Sequence, residues 1–313
     1  MKRIFLSIAS LALLASCTKE TLITSGYYSE QEITFGLSLA EEVIPKAGTK
    51  TIADGSKALT LEFARADQDL SDVYGSYGAA ITATRPASAA SANTALVISG
   101  DAQYYLSSGK KTKITGWYPN TGTYASQAVT WTMTGAQDIM TAAKLEGNKT
   151  DKAITNFTFN HKTSQLQFWP FCDDATIQAA WGKITKIEVL DQQNTCTYTL
   201  SSNDATGNVT FSGAATSVFT AYSDATGKLA PVTPSAAVQL GDAVMIAPET
   251  ASTYVLKIRV TTEEGGVLTT NVPAQAFQEG KAYKILLKLS GNEIQPTASI
   301  TEWPAATNVD VTI

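Results

Sequence analysis

Ile33-Thr34-Phe35-Gly36-Leu37-Ser38-Leu39 carries its apolar side chains at Ile33, Phe35, Leu37 and Leu39. Successive side chains of a strand point to opposite faces, so these four share one face, and the segment reads as a strand able to complete a sandwich core. The same period of two recurs along the chain. Leu59-Thr60-Leu61-Glu62-Phe63 and Ile154-Thr155-Asn156-Phe157-Thr158-Phe159 alternate in this way, as do residues 166–168, 184–190, 198–200, 255–260, 267–272, 283–289 and 309–313. These runs are rich in Thr, Val, Ile, Tyr and Phe, the residues that suit a pleated, half-buried surface. Helical periodicity is weak, and only two short helices are expected, over 71–77 and over 173–181 with an Asp as N-cap. Short, frequent strands of this kind indicate an all-β chain built of sandwiches or barrels.

Turn chemistry punctuates the runs. Asp191-Gln192-Gln193-Asn194, Asp204-Ala205-Thr206-Gly207-Asn208 and Glu263-Glu264-Gly265-Gly266 each read as a connection between neighbouring strands. Residues 87–93 and 230–237 read as surface loops. The strand and turn pattern restarts near residue 157, which divides the chain into halves of similar size, each with room for a domain.

Composition excludes several function classes. A net charge of -5 without long runs of one sign offers no basic stripe for nucleic acid. The single histidine, His161, makes His-based metal sites and a Ser-His-Asp triad improbable, and no Gly-x-Ser-x-Gly elbow, P-loop or dinucleotide fingerprint is present. His161 therefore reads as structural. Glu263-Glu264 could serve as an acid and base pair, but its place at a Gly-Gly hairpin tip reads as a solvated turn. No catalytic residue, metal site or cofactor is expected. Cys172 and Cys196 could form one disulfide in an oxidising compartment, or stand as two separate thiols. Five tryptophans and twelve tyrosines could build a sugar-stacking platform. The competing reading places Trp117, Trp131, Trp169, Trp181 and Trp303 in cores and interfaces, which large aromatics commonly dominate.

The first residues address the chain to export. Lys2 and Arg3 precede an apolar run over 4–14, long enough for a signal peptide and too short to span a bilayer. The run ends in Leu14-Ala15-Ser16-Cys17, where small residues stand directly before a cysteine, as lipoprotein processing requires. Residues 1–16 are then the signal peptide, and lipidated Cys17 begins the mature chain, anchored by more than one acyl chain.

Beyond these local readings, the chain resembles the fimbrillin family, the lipoprotein-precursor subunits of type V pili. The likeness is carried by Cys17 in its lipobox and Ile33-Thr34-Phe35 ahead of Lys46-Ala47. It continues through Gly116-Trp117-Tyr118-Pro119, Gln137-Asp138-Ile139-Met140-Thr141-Ala142 and Phe159-Asn160-His161-Lys162-Thr163-Ser164-Gln165-Leu166-Gln167-Phe168. Phe277-Gln278-Glu279-Gly280-Lys281-Ala282-Tyr283-Lys284-Ile285 and Ile300-Thr301-Glu302-Trp303 complete it. The resemblance implies two tandem transthyretin-like β-sandwich domains and a surface-exposed place at the outer membrane. It also implies trimming by an Arg/Lys-specific surface protease and assembly with other pilin subunits by donor-strand exchange. The partners would be those subunits, the membrane through the lipid, and a host or bacterial surface ligand. The family's shaft subunits usually donate a C-terminal strand, and only ten residues follow Trp303 here, which keeps a tip or anchor role open. A monomeric glycan-binding surface lipoprotein and a surface hydrolase are the rival readings.

The expected cut follows from position. Residues 41–57 join the first strand to Leu59, contain Pro45, Gly48 and Gly55, and read as an exposed loop of the kind proteases cut. Lys46, Lys50 and Lys57 are its basic residues. Cleavage is expected after Lys46, failing that after Lys50. Residues 17–46 would then form a propeptide carrying a removable strand, followed by domains over 47–157 and 158–313. Val309, Val311 and Ile313 repeat the apolar alternation and could fill a neighbour's groove, or serve as this chain's own last strand. An uncleaved chain keeping 33–39 permanently is the alternative.

Overall fold

The computed structural model describes residues 28–39, 58–87, 94–200, 208–291 and 293–301. Regular structure in them is almost entirely β, joined by one α-helix, Ala175–Trp181, and one 3-10 turn, Pro234–Ala236. Asp174 caps the α-helix by accepting from the Ile177 N–H, which meets the expectation of an Asp N-cap. The helix expected over 71–77 is instead an irregular loop. There the Asp69 carboxylate accepts from the N–H groups of Ser71 and Val73, a side-chain capture that competes with helical pairing. None of the described helices is long and apolar enough to cross a membrane.

The first unit is an eight-stranded sheet. Across it run Thr94–Ala95, Gly36–Leu39, Asn156–His161, Met140–Gly147, Thr112–Tyr118, Leu59–Asp67, Ile81–Arg85 and Val97–Ile98. The two outermost strands are consecutive in the chain, separated by Leu96. One short run therefore joins both edges, and the sheet folds over on itself around a core that includes Leu61, Phe63, Ile114, Met140, Phe157 and Phe159. Each edge is thus covered in part by one short run, Thr94–Ala95 on Gly36 and Leu37 and Val97–Ile98 on Ala83 and Thr84.

The second unit is a sandwich of two four-stranded sheets. One has the order Val244–Ile246, Ser164–Cys172, Ala282–Ser290 and Glu293–Thr301; the other runs Ser217–Lys228, Ile184–Gln192, Lys257–Thr262 and Gly266–Asn271. Leu166, Phe168, Ile285 and Leu287 of the first face Ile187, Val189, Ile258 and Val260 of the second in one core. The Glu263-Glu264 turn joins the last two strands of the second sheet as a hairpin.

A further four-stranded sheet ties the units together, because it takes Thr123–Ala125 and Ala128–Thr132 from one and Thr195–Thr199 and Asn208–Ser212 from the other. It lays Val129, Trp131, Cys196 and Tyr198 into a core shared with Ala64, Ala66 and Trp117 on the outer face of the eight-stranded sheet. Thr115 Oγ1 and Tyr198 Oη meet across this contact at 2.8 Å. Asp191 to Asn194 thus joins strands of two different sheets. Residue 157 lies inside the strand Asn156–His161, so the chain leaves the first core only after His161. The crossing is pinned on both sides: Lys162 N–H donates to Ile139 O at 2.7 Å, and Gly280 N–H to Thr163 O at 3.0 Å.

Candidate functional site

The first described segment, Tyr28–Glu32 followed by Gly36–Leu39, is inserted into the first unit from the far side of a long sequence gap. Gly36–Leu39 lies parallel to Asn156–His161, with Leu37 opposite Phe157 and Leu39 opposite Phe159, and antiparallel to Thr94–Ala95. Tyr28–Glu32 pairs with a different strand, Tyr104–Leu106. The strand expected over 33–39 is therefore regular only from Gly36. Residues 33–35 are where the segment changes partners, and they stay tied: Ile33 N–H donates to Gln103 O at 2.7 Å, Gly36 N–H to Thr155 O at 2.6 Å, and Leu96 N–H to Phe35 O at 2.8 Å.

Burial follows the expected face. Ile33, Phe35 and Leu37 are each 1% exposed, whereas Thr34 between them is open to solvent. The Phe35 ring stands 4.8 Å from that of Phe63 and 5.4 Å from that of Phe157, both edge-on, the geometry aromatic quadrupoles favour. A Cβ at Gly36 would run into the Asn156 side chain, so glycine permits the close approach of the two parallel strands. Without this segment, Phe63 and Phe157 would line an open slot, and one side of the Asn156–His161 backbone would lack partners. An alternating strand from another chain could repair both deficits at once.

The remaining parts of the expected machinery, Cys17, Lys46, Lys50, Val309, Val311 and Ile313, lie outside the described residues, and the Leu39 side chain does too. The last described strand, Glu293–Thr301, pairs along the whole of Ala282–Ser290; its Ile294 is buried, while Ile300 is 62% exposed.

The other singled-out groups do not gather into a reactive centre. His161 is buried, and its Nδ1 lies 2.8 Å from Asp138 Oδ1, a pairing that ties the end of Asn156–His161 to the segment just before Met140–Gly147. Asp138 was missing from the sequence reading as a site residue. The signal for the pair was the alternation of Phe157, Phe159 and His161, which turns the imidazole inward. Cys172 and Cys196 are both buried free thiols in different sheets, which corrects the disulfide option. Burial pushes them up to about 11 and about 12, far from the thiolate range. Lys113, fully buried with its ammonium 3.9 Å from the centre of the Tyr74 ring, has a pKa lowered by desolvation to about 8. Glu188 is held below the usual carboxylate range chiefly by Arg259 at 2.7 Å, with Lys186 at 2.6 Å on its other oxygen. Among the described residues no group of His, Cys, Asp and Glu has the arrangement of a metal site.

Nor do the tryptophans among the described residues form a platform. Trp117, Trp131 and Trp181 are buried in the shared core, and half-buried Trp169 lies under the Lys284 ammonium at 4.1 Å. Trp303 is outside the described residues.

Comparison with known proteins agrees with this architecture. A family model described as fimbrillin-like matches residues 61–303. The fold is similar to that of a candidate cell adhesion protein from Bacteroides uniformis ATCC 8492, with a TM-score of 0.61 at 18% identity over 90% of this chain and 99% of that one. A candidate cell adhesion protein from Bacteroides ovatus ATCC 8483 gives a TM-score of 0.57 at 12% identity over 88% and 99%. No curated protein matches the chain.

Proposed function

The chain belongs to the fimbrillin-like family, and on that premise we propose that it is a subunit of cell-surface fimbriae which joins its neighbours by exchanging its first strand. The observation that carries this reading is the seating of Ile33, Phe35 and Leu37, 1% exposed, in a core whose other strands begin only at Leu59. The segment is continuous in space with the first unit and separated from it in sequence by residues 40–57, so one cut between them leaves it held by non-covalent contacts alone and open to displacement.

In this reading Cys17 carries the lipid that holds the precursor at the outer membrane, and a trypsin-like surface protease cuts after Lys46, failing that Lys50. The cut releases anchor and strand together. Burying four apolar side chains such as Ile33, Phe35, Leu37 and Leu39 is worth on the order of 6 to 12 kcal/mol before ordering costs, so a vacated slot favours capture of a replacement. The replacement is another subunit's alternating strand, with Val309, Val311 and Ile313 the segment of this chain suited to the donor role. The proposal involves no catalytic step, metal or cofactor, and it accommodates a shaft, tip or anchor position and adhesion to a host or bacterial surface.

Electron microscopy of cells with and without the gene tests the assignment: filaments should be lost or altered when it is deleted. Unchanged filaments together with tight oligosaccharide binding by the purified chain would favour a glycan-binding lipoprotein instead. Anchoring has its own test, since Cys17→Ala should abolish acyl labelling and retention in the membrane fraction, and labelling that persisted would refute the lipid site.

A further inference from the structure

Asn148 sits at the turn between Met140–Gly147 and Asn156–His161, at the end of the first unit away from the crossing, where Gly147 lies opposite Thr112. The sequence there is Glu146-Gly147-Asn148-Lys149-Thr150. An asparagine two residues before a threonine, with no proline between them, is the acceptor pattern for an N-linked sugar. Asn156-Phe157-Thr158 and Asn208-Val209-Thr210 fit it too. Geometry separates the three.

Asn156 and Asn208 each open a strand, and the residues after them are taken up in ladders: Phe157 with Leu37 and Thr158 with Ser38, Val209 with Tyr198 and Thr210 with Thr197. The Asn156 side chain is also wedged against Gly36. Asn148 lies in no strand, and its side-chain oxygen accepts from Thr150 N–H at 2.9 Å and from Asp151 N–H at 2.8 Å. Two N–H donors on one atom identify it as the oxygen, so the amide nitrogen, on the other limb of the planar group, points away from the turn. The backbone closes the same turn, with Asn148 N–H donating to Asp151 O at 2.7 Å. Asn148 borders an open cleft of about 500 Å³ together with Ser108, Lys110 and Lys111, and Lys149 and Thr150 beside it are exposed. An incoming enzyme can therefore reach the acceptor in the folded chain.

Glu146 adds a second determinant. Its carboxylate, two residues before Asn148, is partly exposed and pairs with Lys111 Nζ at 2.7 Å. Ile154 and Thr206 hold the corresponding places before Asn156 and Asn208. An ion pair open to water holds weakly, so Glu146 can exchange Lys111 for a cationic side chain of the enzyme.

We propose that Asn148 is an N-glycosylation site, which takes an oligosaccharide from a polyprenyl-diphosphate-linked donor in the compartment to which export delivers the chain. In the transfer a bond forms between Asn148 Nδ2 and the anomeric carbon of the donor's first sugar, while the bond from that carbon to the diphosphate oxygen breaks. The lipid diphosphate leaves with the bonding electron pair, and the amide nitrogen gives up one proton to a carboxylate of the transferase. This chain acts only as acceptor. The inference rests on the reading of the chain as exported, and it is independent of strand exchange.

Tandem mass spectrometry of peptides covering residues 145–153, from chain purified out of the envelope of the cells that make it, is the test. Asn148 should carry an added oligosaccharide. Asn148→Gln and Thr150→Ala should each abolish it, Glu146→Gln should lose most of it, and Thr150→Ser should retain it. Thr150→Ala keeps the N–H that Asn148 Oδ1 accepts, so a loss in that variant reports the acceptor pattern and not the turn. Bare Asn148 in chain from which residues 1–16 have been removed would overturn the site and leave export standing. Sugar that persists at full occupancy in Thr150→Ala or Glu146→Gln would overturn it as well. Bare Asn148 in chain that still carries residues 1–16 would overturn both the site and the export reading.

Discussion

The two units reach the same end, a dry core between β layers, by different routes. The sandwich of the second unit draws each of its eight strands from residues 164–301, and its faces meet through Phe168, Ile285, Val189 and Val260. The first unit is closed only because the segment ending in Gly36–Leu39 fills a slot between Asn156–His161 and Thr94–Ala95. The sandwich strands all come from one continuous stretch of chain, whereas the first unit depends on a short, sequence-distant piece held by backbone hydrogen bonds and three buried side chains. The shared sheet packs on the opposite face of the dependent unit, so loss of the first segment is expected to open the first core before the second.

The contrast can be broken most forcefully at Phe35. Phe35→Ala should cost about 3–5 kcal/mol, the range for emptying a large aromatic site that cannot collapse. Hydrogen exchange should place the loss on Asn156–His161 and Leu59–Asp67 and spare Ala282–Ser290. Uniform deprotection of both units would mean that they do not open separately.

A smaller effect of opposite sign is expected at Lys113. Its amine is buried, and among the described residues its Nζ has no hydrogen-bond partner. Lys113→Met should therefore stabilise the chain at neutral pH, by about 1–3 kcal/mol, the usual cost of leaving a buried donor unsatisfied. Desolvation lowers this lysine from 10.5 to about 8, so between those values the unfolded chain holds a proton that the folded chain has released. Stability contributed by this group should thus rise with pH across that window and vanish from the pH profile of the Met variant, as read by urea midpoints. A pH profile identical in the two proteins would contradict the assignment.

The least effect belongs to the crossing. Lys162 and Glu279 meet at 2.6 Å with Glu279 about half exposed, and ion pairs of this kind contribute little. Glu279→Gln should change stability by less than about 1 kcal/mol. A shift in thermal midpoint as large as that of Phe35→Ala would show that the joint, and not the first strand, governs the dependent unit.

Much of this was legible where one face of a strand meets solvent. Residues 59–63 and 283–289 alternate cleanly and lie in strands, and the run 255–260 does so from Lys257 on, since one side of each strand is buried and the other more exposed. Thr112–Tyr118 left no such trace because both its faces are covered, Ile114 by the first core and Trp117 by the shared one. The shared sheet was equally hidden. Ala128–Thr132 pairs with Thr195–Thr199 across a separation that local periodicity does not encode, and so a boundary drawn from where the pattern restarts fell inside a strand. For the candidate site, the face of Ile33, Phe35 and Leu37 was readable from spacing alone. Its change of partners at Ile33 to Phe35 was not, because that depends on Gln103 and Thr155 brought in from elsewhere.

The claim on which the account turns is that the first strand is a temporary occupant of its slot. N-terminal sequencing of this protein from purified surface filaments tests it directly. A start at Ala47, or at Thr51 if the cut follows Lys50, is the predicted result; a start at Cys17, with Ile33 to Leu39 still attached, would contradict it.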